Sequence, residues 1–164
     1  MVGTAMAIKH RSTAQNQRDL SDSKPLLLII DGHAVVHRAW AAMHTPLTIR
    51  STGEEVQGVY GFMNAFLKTL RTWRPTHCAI AFDPPGRVFR HAKYADYKAH
   101  RPEMPLGLRS QFPHVHQLMN AFGIPIFEVE GYEADDVIGT LCRQAENQDI
   151  DTIVLSGDTD MLQL

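Results

Sequence analysis

Short apolar runs alternate along this chain with longer segments in which apolar residues recur at helical spacing. The run at 26–30, between Pro25 and the Asp31-Gly32 pair, is typical of a buried strand. The segment that follows carries Val36, Trp40 and Met43 on one helical face and stops before the next proline. The same criteria predict strands at 26–30, 78–82, 124–129 and 152–155, and helices at 33–44, 56–73, 107–122 and 133–147.

This alternation of strands and helices predicts an α/β layer fold with a mainly parallel central sheet. Residues 1–24 are polar, mixed in charge and without periodicity, so we expect a flexible N-terminal arm. Residues 25–164 then form one domain, in which 84–105 are too polar and irregular to assign to an element. The sequence ends inside what should be the next helix, so we expect a fragment of a longer domain.

Composition is that of a soluble globular protein, with 44% hydrophobic and 21% charged residues in a chain of 164. The longest apolar run, at 26–30, is far shorter than the ~20 residues of a membrane span, and the N-terminus lacks a secretory signal. Cys78 and Cys142 are expected to be reduced thiols of the core. Membrane, secreted and repeat classes are therefore excluded, and we expect a cytoplasmic protein.

Charge is distributed unevenly, although the net charge is only −2. Residues 84–109 hold six basic side chains against two acids, whereas residues 128–160 hold ten acids against Arg143 alone. A basic stretch near an acidic cluster is what an anionic substrate and a bridging cation would need. Two solvated faces would produce the same counts, so the positions of the charges have to distinguish the two readings.

Acidic residues follow the predicted strands, where the carboxyl ends of parallel strands meet at one edge of the sheet. A single carboxylate there is usually a helix cap or turn former, but acids at all four strand ends favour a metal site. Oxygen ligands without thiolates suit Mg²⁺ or Mn²⁺, and two ions ~4 Å apart would assist phosphoryl transfer. The candidate ligands are Asp31, Asp83, Glu133, Asp135, Asp136, Asp158 and Asp160.

The spacing of the middle acids predicts how they divide between two ions. Glu133 and Asp136, three residues apart, would share a helix face, while Asp135 would lie off that face and reach a second ion. Asp158 and Asp160, two apart on a strand extension, would point the same way.

Other catalytic signatures are missing from the sequence. No phosphate-binding glycine loop follows the first strand, Ser156-Gly157 does not form a nucleophile elbow, and Cys142 falls within a predicted helix. The nine histidines lack zinc-finger spacing, and most are expected at the surface or behind the site residues.

Cations and aromatic residues are interleaved in the basic stretch, as in channels that hold phosphates and stack on bases. Simple local packing is the alternative for Phe89 and Tyr94. The candidate nucleic-acid contacts here are Phe89, Arg90, His91, Tyr94, Tyr97, Lys98 and Arg101.

Several segments together resemble the 5′-nuclease domain at the N-terminus of bacterial DNA polymerase I, within the flap-endonuclease and PIN-like superfamily. The most specific is Gly-Tyr-Glu-Ala-Asp-Asp-Val-Ile-Gly at 131–139. The others are Leu-Ile-Ile-Asp-Gly-His at 28–33, Val-Tyr-Gly-Phe at 59–62, Ala-Phe-Asp at 81–83, Phe-Arg-His at 89–91, Tyr-Lys-Ala-His-Arg-Pro at 97–102 and Gly-Asp-Thr-Asp at 157–160.

The resemblance implies a three-layer PIN-like fold with a helical arch at about 84–105, and a role for each motif residue. Asp31, Asp83, Glu133 and Asp135 would bind one Mg²⁺, and Asp136, Asp158 and Asp160 would contribute to a second site. Lys98 and Arg101 would be catalytic residues of the arch, where Lys98 would neutralise the scissile phosphate and Tyr97 would stack on a base. Arg38 would lie near the substrate strand.

The implied activity is hydrolysis of a DNA phosphodiester near a 5′ end, at a 5′ flap or at a nick, in replication and repair. An RNA primer is a further implied substrate, and we expect a monomer without a membrane partner. The helix-hairpin-helix module and polymerase domains of the family are absent from the sequence. The alternatives are a truncated fragment that binds nucleic acid without cleaving it, and a small-molecule metal phosphohydrolase.

Overall fold

The structure, a computed structural model, describes residues 6–9, 24–86, 88–90 and 103–158, with the backbone alone at 6–9. In these residues a five-stranded sheet has the order β1-β5-β2-β3-β4, and every neighbouring pair except β1–β5 is parallel. The strands are β1 (Met6–Lys9), β2 (Leu26–Asp31), β3 (His77–Ala81), β4 (Ile126–Phe127) and β5 (Asp151–Ser156). The helices are α1 (Gly32–Ala41), α2 (Gln57–Trp73), α3 (Leu106–Arg109), α4 (Phe112–Ala121) and α5 (Ala134–Asn147). The α/β fold with a mainly parallel sheet is confirmed.

Helices cover both faces of this sheet, because the central strands are apolar on both sides. Leu28 and Ile30 of β2 face a core that also contains residues of α1, α2 and α4. Ile29, between them, faces the opposite way and packs in a second core with Val137 and Ile138 of α5. Alternate strand residues point to opposite faces, so these two cores make three layers.

The predicted helix at 107–122 is two helices, α3 and α4, separated by Ser110 and Gln111. Pro113 lies in the first turn of α4, where its missing N–H costs nothing, and its ring disfavours a continuous helix through this point. The predicted strand at 124–129 is also shorter than expected, since only Ile126–Phe127 pairs with β3.

Residues 6–9 correct the prediction of a flexible arm at 1–24. They form β1, with Met6 opposite Ser156 and Lys9 opposite Ile153. Without this pairing the outer edge of β5 would expose unpaired N–H and C=O groups. The remainder of the predicted arm before Lys24 lies outside the described residues.

The two cysteines are free thiols, as expected, and each lies partly buried beside one of the cores. Burial raises the pKa of both thiols. Among the described helices, none has the length and apolar character needed to cross a membrane.

Gln111 connects the break between α3 and α4 to the start of α2. Its side chain is fully buried, and Oε1 accepts hydrogen bonds from the backbone N–H groups of Gly58, at 2.7 Å, and Val59, at 3.1 Å. Nε2 donates to the carbonyl of Gly107 at 2.7 Å. Because Val56, the N-cap residue, makes no side-chain capping bond, Gln111 supplies the acceptor that the first turn of α2 requires.

Replacing Gln111 with leucine is expected to lower the free energy of unfolding by about 2 kcal/mol, because buried N–H groups lose their acceptor. Gln117→Leu, at an exposed position of α4, is the matched control and should change stability by about 0.5 kcal/mol or less. Urea denaturation of both variants measures the difference. Equal stabilities would show that Gln111 does not cap α2.

Candidate metal and nucleic-acid site

The carboxyl ends of β2, β3 and β5 lie side by side, and each is followed or ended by one of the predicted acids. Asp31 is opposite Ala81 in β3, and Ile30 is opposite Leu155 in β5, so the three strands end at the same level. Asp83 follows β3 by two positions, and Asp158 follows β5 by two positions. The fourth group, at 133–136, lies at the start of α5, which packs across β2, β3 and β5.

Asp31 is held rigidly at the end of β2, with 4% of its surface exposed. It is the N-cap of α1, where Oδ1 accepts from the N–H of Ala34 at 3.0 Å, while Oδ2 accepts from Oγ of Ser156 at 2.9 Å. Burial raises the pKa of Asp31 above its usual value. The bonds from Ala34 and Ser156 lower this pKa, and the charges of Asp83 and Asp158 raise it further.

Asp83, just after β3, forms hydrogen bonds with residues of α1 and α5. Its Oδ1 accepts from the N–H of Ala134, in the first turn of α5, at 2.8 Å. Its own N–H donates to Nδ1 of His33 at 3.1 Å, and the His33 ring lies edge-on to Phe82. Sequence reasoning gave His33 no specific role, since nothing local indicates a bond between residues so far apart in the chain.

Asp135 is where the like charges converge. The residue as a whole is exposed, but neighbouring atoms remove enough water from the carboxyl group for desolvation to be the largest influence on it. The charges of Asp31, Asp83, Glu133 and Asp158 act in the same direction, and together these influences raise the pKa of Asp135 to about 6. Carboxylates from all the strand ends therefore share one electrostatic environment.

Asp136 lies apart from that group and is paired with Arg90. Nη1 of Arg90 donates to Oδ2 of Asp136 and Nη2 donates to Oδ1, both at 2.7 Å, while Nη1 also donates to Oε2 of Glu133 at 2.9 Å. The same Oδ2 accepts from the N–H of Glu133 at 3.1 Å. Arg90 holds the pKa of the Asp136 carboxyl below its usual value.

The structure thus differs from the expected division of the acids in α5. Glu133 has extended backbone angles, with φ −81 and ψ 162, because it is the N-cap and not a residue of the helix. Glu133 and Asp136 nevertheless lie close together as expected, since Nη1 of Arg90 donates to both carboxylates. Asp135 is the residue that interacts with the carboxylates of the strands, and Asp136 stabilises the start of the helix.

Arg90→Gln is expected to lower the free energy of unfolding by about 1–2 kcal/mol near neutral pH. The loss is moderate because Arg90 and Asp136 are both partly exposed to solvent, which weakens their ion pair. The pKa of Asp136 is depressed in the folded state, so the ion pair stabilises the fold above the unfolded pKa of about 3.9. That contribution is lost as the pH falls through the folded pKa. Thermal unfolding of Arg90→Gln and wild type should therefore differ at pH 7 and converge in acid.

Arg143→Gln is the matched control for this experiment, because Arg143 is an exposed arginine of α5. It should leave both stability and its pH dependence close to those of the wild type. A gap between wild type and Arg90→Gln that did not change with pH would contradict the assigned ion pair.

The chain after β5 is packed closely against α1. A Cβ added to Gly157 would lie 2.6 Å from the carbonyl oxygen of Ala34 and 3.1 Å from Cβ of Arg38. Nη1 of Arg38 donates to the Gly157 carbonyl at 3.4 Å, and the N–H of Asp158 donates to Oγ of Ser156 at 3.0 Å. Arg38 is therefore brought to the edge of the sheet where Asp31 and Asp158 lie; the sequence pattern predicts that position for the two acids but not for Arg38.

An aromatic pair borders the acidic group on the Arg90 side. The rings of Phe89 and Tyr132 have centroids 5.6 Å apart, and the guanidinium of Arg90 lies 4.8 Å from the centroid of Phe89. Phe89 is 37% exposed and Tyr132 51% exposed. Phe89 thus has both the local packing that was its alternative explanation and an accessible face, and Tyr132 adds an aromatic surface that sequence reasoning did not single out.

The remaining predicted site residues lie outside the described residues: His91, Tyr94, Tyr97, Lys98, Arg101 and Asp160. Within the described ranges, no three Asp, Glu, His or Cys side chains are gathered in a geometry that would hold a metal ion as they stand. The oxygen ligands nevertheless fit Mg²⁺ or Mn²⁺ in kind, and the raised pKa of Asp135 marks an excess of negative charge that a cation would offset.

Comparison with known proteins gives a family match over most of the chain. The model of the 5′-3′ exonuclease, N-terminal resolvase-like domain, matches residues 26–164. DNA polymerase I of Chloroflexus aurantiacus is 49% identical over 140 residues, which cover 85% of this chain and 15% of that protein. DNA polymerase I of Bacillus subtilis is 39% identical over 138 residues, which cover 84% of this chain and 16% of that protein.

Solved structures share the fold at low sequence identity. A bacteriophage T5 protein co-crystallised with metal ions superposes with a TM-score of 0.58 and 16% identity, over 83% of this chain and 50% of that one. A bacteriophage T5 flap endonuclease, in a complex with DNA and metal ions, gives 0.52 and 17% identity, over 76% of this chain and 47% of that one. The three-layer PIN-like fold is thereby confirmed.

Proposed function

We propose that this chain, which belongs to the 5′-3′ exonuclease N-terminal resolvase-like domain family, carries metal-binding carboxylates of a metal-dependent 5′ nuclease. The reaction is hydrolysis of DNA phosphodiesters near a 5′ end, at a 5′ flap or at a nick. Because the chain spans only 15–16% of the length of its curated relatives, other parts of such a protein would contribute to substrate binding.

One observation carries this proposal: carboxylates from separate strand ends act together on Asp135. Helix capping explains the bond from the Ala34 N–H to Asp31, but it does not explain why carboxylates of separate elements surround Asp135. Asp135 receives repulsion from Asp31, Asp83, Glu133 and Asp158, which costs stability unless a cation is bound. Such an arrangement is typical of a functional site.

Asp31, Asp83, Glu133 and Asp135 would hold one divalent cation, and Asp158 with Asp160 would contribute to a second. A bound Mg²⁺ or Mn²⁺ supplies Lewis-acid stabilisation of the negative charge that develops on the phosphate. Asp136 does not act as a ligand in this proposal, because its charge is already neutralised by the ion pair with the Arg90 guanidinium, whereas Asp31 accepts only from uncharged donors. Its role is to hold the start of α5, and thereby Glu133 and Asp135, against the sheet.

The cationic and aromatic residues would hold the DNA strand. Arg38 lies at the edge of the sheet beside Gly157, where a phosphate could approach the acids through a bound cation. Phe89 and Tyr132 offer ring faces on which a base could stack. For five further residues the support is the family resemblance, which implies that Lys98 neutralises the scissile phosphate; they are His91, Tyr94, Tyr97, Lys98 and Arg101.

We propose that the chain acts on DNA in the bacterial cytosol, because the curated relatives are bacterial DNA polymerases. We propose that the domain acts as a monomer. A primer RNA is included among the substrates, since phosphate contacts alone do not distinguish it from DNA.

Cleavage of a 5′-labelled flap duplex by the purified chain tests the proposal, with Mg²⁺, Mn²⁺ or EDTA present. We expect metal-dependent products that end near the junction, and none in EDTA. Binding of the flap without cleavage in either metal would reject the nuclease in favour of a nucleic-acid-binding fragment. Hydrolysis of a small phosphomonoester without flap cleavage would instead indicate a small-molecule phosphohydrolase.

A further inference from the structure

Ser156 is a buried polar residue in a strand that is otherwise apolar along its second half. It is the last residue of β5 and is 3% exposed, and the preceding Ile153, Val154 and Leu155 all lie in the two cores. A buried hydroxyl without partners would cost stability, so its hydrogen bonds account for its presence there.

Both hydrogen bonds of this hydroxyl are made to acidic residues of the candidate site. Oγ donates its single proton to Oδ2 of Asp31 at 2.9 Å, and the same oxygen accepts from the backbone N–H of Asp158 at 3.0 Å. The parallel register of β2 and β5 makes this possible, because Ile30 is opposite Leu155 and the next residues are therefore neighbours. One hydroxyl thus connects two acids that are 127 positions apart in the chain.

The two bonds constrain different parts of the site. The bond to Asp31 fixes the rotation of its carboxylate, whose other oxygen is already held by Ala34. The bond from Asp158 fixes the direction of the chain as it leaves β5, at a point where Gly157 lies against α1. The hydrogen bond to Ser156 therefore fixes the backbone of Asp158, from which its exposed side chain extends.

We infer that Ser156 is a positioning residue, which sets Asp31 and Asp158 in the relative placement needed to bind a divalent cation. The inference rests on the proposed function of this site. Ser156 itself is not required to touch the cation or the DNA; it acts through the two acids.

Manganese binding to the chain without DNA, followed by electron paramagnetic resonance, tests the inference apart from catalysis. Ser156→Ala should weaken Mn²⁺ binding by about 10- to 100-fold, which is the usual effect of removing a group that orients a ligand. Ser156→Thr keeps the hydroxyl and should restore most of the affinity. Wild-type affinity in a folded Ser156→Ala variant would overturn the inference.

Two further measurements keep the test decisive if Ser156→Ala does not fold. Ser156→Cys nearly preserves the side-chain volume with a far weaker donor, so it should show the same loss of Mn²⁺ binding as alanine. In the wild type, the Asp158 amide should exchange its hydrogen more slowly than an unbonded amide, and rapid exchange would contradict the bond to Ser156.

Failure of the proposed function would look different. If the wild-type chain bound no Mn²⁺ and cleaved no flap, while the Asp158 amide remained protected, the nuclease proposal would fail and the role of Ser156 would be reduced to structure alone. If the wild type bound Mn²⁺ and both Ser156→Ala and Ser156→Cys bound it equally well, only the positioning role would fail.

Discussion

Asp135→Asn is expected to reduce flap cleavage by about 10²- to 10³-fold or more, the range seen when one group that stabilises developing charge is removed. The carboxyl group of Asp135, in the first turn of α5, is repelled by the charges of four other acids at the sheet edge. Asparagine retains the shape but not the charge, so a cation shared by these acids would lose part of its counter-charge. Single-turnover cleavage at saturating Mg²⁺ measures the effect.

Glu146→Gln provides the matched control for charge removal from the same helix. Glu146 is exposed near the other end of α5, and its loss should leave the cleavage rate within about twofold of wild type, as for a surface substitution. A folded Asp135→Asn variant that cleaved at the wild-type rate would remove the metal proposal.

The same substitution should stabilise the fold in the absence of divalent cations. The pKa of Asp135 is raised to about 6 from an unperturbed value near 3.8, so the folded state favours the protonated acid. Stability is therefore lost as the pH rises from about 4 to about 6, and the loss persists above that range. In EDTA, Asp135→Asn should melt above wild type at pH 8, and the two should converge below pH 4.

Added Mg²⁺ should reverse this order, because cation binding stabilises only a chain that retains its ligands. A wild type that melted at the same temperature with and without Mg²⁺, while Asp135→Asn remained the more stable, would show repulsion without a cation site.

Gly32→Ala is expected to lower the free energy of unfolding by about 3 kcal/mol or more, through overpacking of a rigid core. A Cβ at Gly32 would lie 2.2, 2.5 and 2.6 Å from three carbons of the Phe82 ring. That ring is fully buried and stacks on His116 at 4.2 Å, so it cannot move aside without displacing its neighbours. Urea denaturation measures the loss.

Gly32 lies between Asp31 and His33, so the clash should also displace both site residues. Cleavage is therefore expected to fall in Gly32→Ala even at temperatures where the variant remains folded. Both effects arise from the same contact with Phe82.

Gly53→Ala separates this clash from the general cost of losing a glycine. Gly53 has φ +72 but no neighbour within 4 Å of the added Cβ, so alanine should lower the free energy of unfolding only by the backbone strain of an L-residue at positive φ, about 1 kcal/mol. The double variant Gly32→Ala with Phe82→Leu should recover stability relative to the sum of the single changes. Strict additivity would show that the Phe82 ring is not what Gly32 accommodates.

Much of the architecture follows from the residue pattern, since local periodicity reports which positions face a core. The buried strand predicted at 26–30 and the mainly parallel sheet are confirmed, and the strand is buried on both sides, with Leu28 and Ile30 in one core and Ile29 in the other. Acids directly after buried strands had to meet at one edge once the strands were parallel, and this is why Asp31, Asp83 and Asp158 could be grouped in advance.

The parts that pattern could not supply depend on contacts between distant residues or on backbone angles at element ends. The pairing of Arg90 with Asp136 joins residues 46 positions apart. The capping of Gly58 by Gln111 spans 53 positions, and no local signal identifies either partner. The extended backbone of Glu133 makes it the N-cap of α5, and the spacing of the acids does not distinguish this position from the first turn of the helix.

Local chemistry in the sequence was thus sufficient for the family and the layer architecture, because both depend on residue type and short-range spacing; the set of metal-binding acids remains a prediction. Which acid interacts with the others depends on packing: Asp135 is repelled by the charges of the strand carboxylates, whereas Asp136 forms hydrogen bonds with Arg90. Ser156 illustrates the same limit, since a serine at the end of an apolar strand can bond to Asp31 only because β2 and β5 lie side by side.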